Sequence, residues 1–361
     1  MTTAAPSAPA LAIPFDHEEI VVRPGARTRL PIAVAIHSTV LGPALGGVRL
    51  KEYATPLDAM ADVLRLSWAM TLKSAVVDCG TGGGKALVAV PPGGLAALVG
   101  PRREALLLDV ADVVETLDGR YVTAPDVGVT PDDMLIIRRR TRHVGGLPES
   151  VGGGGGTTPP TSRGLLKAMR AAAGQVFGSE DLSSRHVAII GLGGVGSLLG
   201  AALAEMGTRL TVTDVDPARR ALADSWGATW VAPDAALGAD VDIVSPNALG
   251  GSLTDDAVSA VRARLICGAA NNQLAHPGVA TALTARGITW VPDFVASAGG
   301  ILHGAATDMF GMTAAAAEPR LDRIAEATQA VLERAATANI TTLDAALERA
   351  AARVSAATAR G

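Results

Sequence analysis

The stretch HVAIIGLGGVGSLLGAALAE, residues 186–205, decides the fold of this chain. No residue from Val187 to Ala204 is charged, and a run of this length approaches that of a membrane-spanning helix. Glycines at 191, 193, 194 and 196 would weaken a continuous helix, because glycine loses the most backbone freedom when it is fixed. The pattern therefore predicts a buried strand, a tight turn and a helix of small residues in succession.

An acidic residue completes this pattern. Asp214 follows the strand predicted at 210–213, and Gly191, Gly193 and Gly196 lie between the first strand and its helix. In that arrangement the glycines admit a pyrophosphate to the helix N-terminus, and the carboxylate accepts hydrogen bonds from ribose hydroxyls. A carboxylate also repels a 2′-phosphate, so NAD is favoured over NADP. A glycine triplet alone also occurs in methyltransferases and structural turns, but here strand, helix and acid occur in register.

Strands and helices alternate around this turn, which is typical of a parallel, doubly wound sheet. The predicted strands are residues 186–190, 209–213, 241–245, 265–268 and 288–291. A glycine- and proline-rich run at 151–160 marks the connection to an earlier α/β region. We therefore predict an α/β protein with an N-terminal α/β domain at 1–147, onto which about 337–361 fold back, and a Rossmann-type dinucleotide-binding domain at 148–336.

The N-terminal region supplies candidate catalytic residues. The sequence TPLD at 55–58 is a helix start, and the helix that it begins carries Met70 and Lys73 at its far end. A strand predicted at 86–90 leaves Lys85 at its start, after three glycines. Asp126 follows a strand-like segment, at a position where catalytic side chains often lie.

Lys73 and Lys85 are twelve residues apart. Each alone would be interpreted as a surface or loop lysine. Two cations near one glycine-lined cavity raise each other's energy unless an anion neutralises one and the other is partly deprotonated. We therefore predict a substrate carboxylate at Lys73 and base chemistry at Lys85. An alternative role for Asp126 is to cap the helix that begins near Pro131. Thr130 already provides that cap, which leaves Asp126 for another role.

Composition excludes several classes of partner. The chain has 361 residues, 48% of them hydrophobic and 18% charged, with a net charge of −4 and a pI near 5.9. This net charge gives no positively charged surface that would attract the phosphates of a nucleic acid. Cys79 and Cys267 are the only cysteines and are far apart in sequence, which predicts no metal centre, no disulfide and a reducing cytoplasm. The segment Met1–Leu11 lacks the features of a secretory signal, so we expect a loose tail and no membrane association.

Further polar residues follow the strand predicted at 265–268. Asn271 and Asn272 lie at the carboxyl edge of the predicted sheet, where ligands of such folds bind. We predict contact with nicotinamide or substrate over the alternative that both are turn residues. His303 lies on a predicted helix without a second histidine at metal-ligand spacing, so we interpret it as structural or pocket-lining.

At these residues the sequence resembles the amino acid dehydrogenases of the leucine, valine and phenylalanine group, which are relatives of glutamate dehydrogenase. The matching segments follow the family's order between about residues 16 and 310, and they are too many to arise by chance. They are GPALGGVR (42–49), MTLK (70–73), GGGK (82–85), TAPDVG (123–128), GLGGVG (191–196), ALGG (248–251), ANNQL (270–274), PDF (292–294) and AGG (298–300).

The resemblance implies a substrate-binding domain that also carries the contacts of a homo-oligomer, followed by the NAD domain. It implies that Lys73 binds the substrate carboxylate, assisted by Gly47 and by Asn271 or Asn272. It also implies that Lys85 is the catalytic lysine.

Further roles are implied in the same way. Asp126 would handle protons at the substrate amine, Met70 would contact the substrate, and Thr161 would hold the nicotinamide carboxamide. The remaining cofactor positions would be Gly191, Gly193, Gly194, Val195, Gly196, Asp214, Asn247 and Asn271.

The substrate side chain would meet Gly46, Ala124, Ile301 and Gly304, which are all small or apolar. A charged side chain is disfavoured there, because burying it without a partner is costly. The predicted reaction is NAD-dependent oxidative deamination of an apolar, branched-chain or aromatic L-amino acid to the 2-oxo acid and ammonium, and the reverse reductive amination. The alternatives are an NAD enzyme acting on a related amine or keto acid in a specialised pathway, and a non-catalytic NAD-binding sensor.

The sequence departs from the family pattern in three places. Asp78 and Cys79 occur where the family has small, apolar residues. Two orientations of Asp78 are open: it pairs with one of the lysines, or it points away from them. The glycine run at 152–156 replaces a more ordinary loop. Arg163 stands where an aromatic or apolar residue is usual.

Overall fold

The structure, a computed structural model, describes residues 16–360, so the predicted tail Met1–Leu11 lies outside the described residues. The chain divides into two compact units, each with its own sheet. We name them the mixed-sheet unit, which contains residues 16–157, 300–320 and 349–360, and the parallel-sheet unit, which contains residues 158–299 and 321–348. The first junction thus falls after residue 157 where the sequence predicted 147, and the C-terminal segment of the mixed-sheet unit begins at Arg349 where the sequence predicted about 337.

The mixed-sheet unit contains five strands in the order β1-β2-β4-β3-β5. Their bounds are β1 (Glu19–Pro24), β2 (Pro31–Ser38), β3 (Ala44–Glu52), β4 (Gly82–Val90) and β5 (Tyr121–Pro125). β2 runs antiparallel to β1 and β4, whereas β3 runs parallel to both β4 and β5. β3 therefore lies between the strand that carries Lys85 and the strand that precedes Asp126.

The helices of this unit begin as the sequence predicts. They are α1 (Pro56–Val76), α2 (Gly100–Glu115) and α3 (Pro131–Arg138). Thr55 caps α1 in a capping box with Asp58, in which each side chain accepts from the other's backbone N–H. Thr130 and Asp133 form the same motif at α3, so Asp126 is not its cap. α1 packs against β2 and β4, which brings its C-terminal turns next to Lys85's strand.

The parallel-sheet unit contains six strands in the order β11-β10-β9-β6-β7-β8. Their bounds are β6 (His186–Ile190), β7 (Arg209–Thr213), β8 (Thr229–Trp230), β9 (Ile243–Pro246), β10 (Leu265–Ile266) and β11 (Thr289–Trp290). Every pair is parallel. The chain runs outward from β6 to β8 and then crosses to β9 on the other side of β6. This reversal is the switch point at which open α/β sheets bind ligands.

Ten helices complete the described chain. They are α4 (Thr158–Phe177), α5 (Gly194–Glu205), α6 (Arg220–Ser225), α7 (Asp255–Ala260), α8 (Gly278–Ala285), α9 (Asp293–Ala296), α10 (Gly299–Gly304), α11 (Ala314–Ala317), α12 (Asp322–Ala338) and α13 (Thr342–Thr358). α4 packs against α5 and α12. Within residues 16–360, no helix has the length and apolar character needed to cross a membrane.

Each unit buries its own apolar side chains. In the mixed-sheet unit, Ile36 and Val48 of the sheet pack with residues of α2 such as Leu106 and Val110. In the parallel-sheet unit, the strands contribute side chains such as Val244 and Ile266 to a separate cluster. The predicted α/β class with a doubly wound parallel sheet is confirmed.

Two local predictions need correction. β4 begins at Gly82, so Lys85 lies inside the strand and not at its start. A Cβ on Gly83 would lie 2.1 Å from the backbone nitrogen of Thr71, and one on Gly84 would lie 2.7 Å from the Tyr121 ring. These glycines therefore make room for α1 and for β5, and not for an open cavity. The short strand β8 was not predicted.

The glycine-rich segment near residue 152 is held by one side chain. Asp308 lies in a π-helical turn, Ala305–Met309, that follows α10. Its Oδ2 accepts from the Gly146 N–H at 2.6 Å, and its Oδ1 accepts from the Gly154 N–H at 2.8 Å. Both ends of this loop are therefore tied to the same carboxylate.

We expect Asp308→Ala to release these two amides. Losing hydrogen bonds to a charged acceptor costs about 1.5–3 kcal/mol. Hydrogen exchange of the Gly146 and Gly154 amides should therefore become faster by the corresponding factor, whereas Asp308→Asn, which keeps one acceptor oxygen, should protect one of them. Equal protection in Asp308→Ala and wild type would show that the carboxylate does not hold the loop.

Candidate active site

The register of the mixed sheet places the predicted catalytic residues in neighbouring rows. Leu45 and Val48 of β3 pair with Gly83 and Ala86 of β4, which puts Gly47 opposite Lys85. Gly47 also pairs with Ala124 of β5. Because side chains alternate along a strand, Arg49 and Asp126 follow two residues later on the same face.

Lys85 and Asp126 form a direct ion pair in these rows. Lys85 Nζ lies 2.9 Å from Asp126 Oδ2. The side chain of Lys85 is only 7% exposed, whereas that of Asp126 is 22% exposed. The lysine is therefore almost completely removed from water, while part of the carboxylate remains accessible.

Arg49 joins the pair from the adjacent strand. Its Nε donates to Asp126 Oδ2 at 2.8 Å, and its Nη1 donates to Asp62 Oδ2 at 3.0 Å. Asp62, on α1, also accepts from the Tyr53 hydroxyl at 2.7 Å and from Arg65 at 2.8 Å. The guanidinium of Arg49 thus bridges two carboxylates, one on the sheet and one on the helix.

The charges affect the two partners differently. Burial of the ammonium lowers the pKa of Lys85; the charge of Asp126 opposes this, and the charge of Arg49 adds to it. Burial by itself would raise the pKa of Asp126, but the charges and hydrogen bonds of Lys85 and Arg49 outweigh it and lower that pKa. One carboxylate faces two cations, so Asp126 stays ionised, whereas Lys85 is incompletely compensated and loses its proton more easily.

The two glycines of the 46–47 pair have packing roles. A Cβ on Gly47 would lie 2.8 Å from the Cβ of Asp126, so glycine is needed for Asp126 to approach β3. A Cβ on Gly46 would lie 1.8 Å from the Gly84 carbonyl oxygen. The absence of a side chain at Gly46 therefore serves strand packing, and it does not by itself enlarge a pocket.

Five other predicted substrate residues, Met70, Lys73, Ala124, Ile301 and Gly304, lie in the same unit. Met70 and Lys73 are partly buried and three residues apart near the C-terminal end of α1, which places them on one side of that helix. Ala124 is partly buried at the end of β5. Ile301 and Gly304 are partly buried on α10, and a Cβ on Gly304 would meet no atom within 4 Å. Gly304 is thus the position where a side chain finds space.

Two of the three departures from the family pattern, those at residues 78–79 and 163, have defined surroundings. Asp78 forms an ion pair with Arg353 of α13 at 2.5 Å. Cys79 is buried, and its Sγ donates to the Ile301 carbonyl at 3.7 Å. Arg163 is exposed on α4.

In the parallel-sheet unit the glycine turn fits a dinucleotide. A Cβ on Gly196 would lie 2.0 Å from the Gly191 carbonyl oxygen, so glycine lets α5 pack closely on the turn. A Cβ on Gly193, the residue before α5, would meet nothing within 4 Å, which leaves the backbone open there. Gly194 and Val195 form the first turn of α5. An open backbone at a helix N-terminus suits a pyrophosphate.

Asp214 and Asn247 lie on either side of this turn. Asp214 Oδ2 accepts from the Leu192 N–H at 2.6 Å, and Oδ1 accepts from the Asp216 N–H at 2.8 Å. Asn247 follows β9, and its Oδ1 accepts from the Ala269 N–H at 3.0 Å. The side chains of Asp214 and Asn247 therefore both stabilise, through hydrogen bonds to backbone N–H groups, the loops around the switch point.

The remaining predicted residues differ from one another. Asn271 and Asn272 are both exposed after β10, and Asn272 has a left-handed backbone with φ of 55°. Asn272 thus has the geometry of the turn residue that the sequence left as an alternative. Thr161 is partly buried in the first turn of α4. His303 is buried on α10 with an exposed fraction of 6%. No group of three potential metal ligands occurs among residues 16–360.

Sequence reasoning missed Arg49, Asp62 and Tyr53. Arg49 was part of a matching motif but received no role. A signal was present, because Arg49 follows Gly47 by two residues and therefore shares its face of a strand. Asp62 and Tyr53 had no such signal, since their contact depends on how α1 packs on the sheet.

The fold and these residues define a dehydrogenase that binds a nicotinamide dinucleotide. Comparison with known families agrees. Residues 30–143 match the model of the Glu/Leu/Phe/Val dehydrogenase dimerisation domain, and residues 211–361 match that of the glutamate/leucine/phenylalanine/valine dehydrogenases. The chain belongs to this family of amino acid dehydrogenases, which confirms the family and the oxidoreductase class predicted from the sequence.

Individual relatives are similar over almost their whole length. The chain is 39% identical to a valine dehydrogenase of Streptomyces virginiae over 323 residues, with 88% of each chain covered. It is 35% identical to a leucine dehydrogenase of Geobacillus stearothermophilus, covering 92% of this chain and 89% of that one. The crystal structure of the L-tryptophan dehydrogenase of Nostoc punctiforme superimposes with a TM-score of 0.82 at 33% identity, covering 95% of this chain and 97% of that one.

We expect Gly46→Ala and Gly304→Ala to have opposite effects on stability. The first inserts a methyl group against the Gly84 carbonyl, and overpacking of this kind costs about 1–3 kcal/mol or more. The second adds a methyl group in open space on a helix, where alanine is favoured over glycine by up to about 1 kcal/mol. Denaturant unfolding of both variants and the wild type checks this. Two equally stable variants would contradict the assigned packing role of Gly46.

Proposed function

We propose that this protein catalyses the NAD-dependent oxidative deamination of an apolar L-amino acid to the 2-oxo acid and ammonium, and the reverse reductive amination. The observation that carries the proposal is the buried Lys85–Asp126 pair at 2.9 Å. A lysine with a lowered pKa beside an ionised carboxylate supplies a base and a second proton carrier within one site. Membership of the amino acid dehydrogenase family supports this use of the pair.

Substrate binding is assigned to residues around this pair. Lys73 on α1 is proposed to bind the substrate carboxylate, with Met70 beside it and the backbone at Gly46 and Gly47 nearby. An ammonium suits a carboxylate because their hydrogen bonds are charge-assisted. Asn271 and Asn272 remain predicted contacts of the substrate or of nicotinamide.

The two proton carriers divide the chemistry. The substrate enters as an ammonium ion, and Asp126 takes a proton from its nitrogen. A nicotinamide dinucleotide held by the parallel-sheet unit would supply the hydride acceptor for the α-carbon, and the oxidised substrate would be an iminium. Neutral Lys85 then takes a proton at Nζ from the water that attacks this carbon. Asp126 returns its proton to the carbinolamine nitrogen. As the C–N bond breaks, Asp126 passes the remaining hydroxyl proton to the departing ammonia, which gives ammonium and the 2-oxo acid, and Lys85 releases its proton to water.

The dinucleotide is assigned to the parallel-sheet unit. The turn from Gly191 to Gly196 is proposed to hold the pyrophosphate, and Thr161 and Asn247 to lie along the nicotinamide end. Asp214 would accept from the adenosine ribose. Its carboxylate accepts two backbone N–H groups, which hold it beside the glycine turn, and a carboxylate there repels the 2′-phosphate of NADP.

The side chain of the substrate is proposed to be apolar. Ala124, Ile301 and Gly304 offer no charge to it, and the relatives named above are valine, leucine and L-tryptophan dehydrogenases. Open space at Gly304 favours a large side chain.

Two further assignments remain proposals. The mixed-sheet unit would carry substrate and homo-oligomer contacts, in keeping with the dimerisation domain that matches residues 30–143. The cytoplasmic location rests on the two buried cysteines, Cys79 and Cys267, which are not joined in a disulfide.

We expect NADH formation when the protein is mixed with NAD and apolar L-amino acids at alkaline pH. A panel of L-valine, L-leucine, L-phenylalanine and L-tryptophan, with L-glutamate and D-leucine as negative controls, identifies the substrate class. Lys85→Ala should lower kcat by about 10²–10⁴-fold, the usual contribution of a general base. Lys167→Ala is the matched control, since Lys167 pairs with Asp322 on the surface of the other unit and should leave kcat unchanged.

Other results would point elsewhere. Binding of NAD without turnover of any substrate would favour the sensor alternative. Turnover only of amines that lack an α-carboxylate would favour a different NAD enzyme. Equal activity with NADP would overturn the role given to Asp214.

A further inference from the structure

The two oxygens of Asp126 have different surroundings. Oδ2 receives both Lys85 Nζ at 2.9 Å and Arg49 Nε at 2.8 Å. Oδ1 has no hydrogen-bond partner in the part of the chain that the structure describes, residues 16–360. One oxygen is therefore occupied by two cations, and the other is available for a proton.

Arg49 is itself held from behind. Its second nitrogen, Nη1, donates to Asp62, and Asp62 is fixed by Tyr53 and Arg65. The guanidinium is planar with donors in fixed directions, so anchoring one edge determines where the other edge points. At 17% exposure the Arg49 side chain has little freedom to leave this arrangement.

We propose that Arg49 is a positioning residue for the deamination reaction: it holds Oδ2 of Asp126 and thereby leaves Oδ1 as the oxygen that exchanges a proton with the substrate amine. This inference rests on the proposed function. It assigns a task to a residue that neither the sequence analysis nor the family resemblance had given one.

Without Arg49, Asp126 has a single cationic partner. A carboxylate next to one ammonium can turn both oxygens towards it, and Oδ1 would then be lost to the substrate. Lys85 would also gain the full charge of Asp126 and lose the repulsion of Arg49. The charged groups that bear on Lys85 are Asp126 after β5, Arg49 on β3 and Asp62 on α1. α1 packs against β4 and also carries Lys73 in its last turn, and the partner of Lys85 on β2 is Ala35.

Arg49 acts on Asp126 in two ways, through its fixed geometry and through its positive charge. Its position depends on two simultaneous hydrogen bonds, which a lysine cannot make in the same directions. Its charge is retained by lysine and removed by glutamine. Arg49→Lys and Arg49→Gln therefore test position and charge independently. Arg139→Gln is the matched control, because Arg139 pairs with Glu104 on the surface of the same unit and lies outside the contacts that link Asp62, Arg49 and Asp126.

We expect both Arg49 variants of the full chain to lose about 10²-fold in kcat, as a misplaced catalytic group does. KM for the amino acid should change little, because Lys73 is untouched. The acid limb of the kcat profile should move to higher pH in Arg49→Gln, since the pKa of Lys85 rises, and should stay in place in Arg49→Lys. Arg139→Gln should match the wild type in both readouts.

Crystal structures of the wild type and Arg49→Gln give a readout that does not depend on activity. We expect the Asp126 carboxylate of the variant to rotate so that both oxygens face Lys85. An unrotated carboxylate, an unchanged kcat in both Arg49 variants, or a loss of activity in Arg49→Gln without a shift of its acid limb would overturn the inference. An inactive wild type would instead contradict the proposed function. The orientation of the Asp126 carboxylate in the two crystal structures would still show whether Arg49 positions it.

Discussion

A single carboxylate oxygen, Oδ2 of Asp126, organises the charged residues of the mixed-sheet unit. It faces Lys85 and Arg49 at hydrogen-bond distance, and both cations are largely buried. Burying a cation is costly unless an anion compensates it. Asp126 compensates both only in part, and Asp62 completes the compensation of Arg49 from the helix side. The positive charge of Lys85, the least exposed of the three side chains, is only partly compensated. This incomplete compensation lowers the pKa of Lys85 and makes it suitable as a base.

The sheet makes this arrangement possible. Parallel β4, β3 and β5 bring Lys85, Gly47 and Ala124 into one row, and the next row contains Arg49 and Asp126. Glycine at position 47 is what lets the aspartate come close enough to reach both cations. In the parallel-sheet unit a second carboxylate, that of Asp214, fixes a backbone turn and not a pair of cations. The carboxylate of Asp126 thus affects the pKa of a side chain, whereas that of Asp214 holds the backbone of a turn in place.

Much of this could be predicted from sequence, because its signals are local. The caps at Thr55 and Thr130 and the strand, turn and helix around Gly191 each occupy a few consecutive residues. The contacts of Arg49 with Asp62 and Asp126 could not be predicted, since they depend on strand register and on how α1 packs. The glycines before Lys85 show the same limit: a sequence does not reveal whether the space beside a glycine is filled by a ligand or by Thr71.

The ionisation of Lys85 tests this account most directly. Lysine side chains labelled with ¹³C and ¹⁵N can be titrated by NMR, and the Lys85 signal can be assigned from its absence in Lys85→Arg. The account predicts that Lys85 loses its proton at a lower pH than a lysine side chain in water, and at a higher pH in Arg49→Gln than in wild type. A Lys85 that titrates at or above the ordinary lysine pKa in the wild type would contradict it.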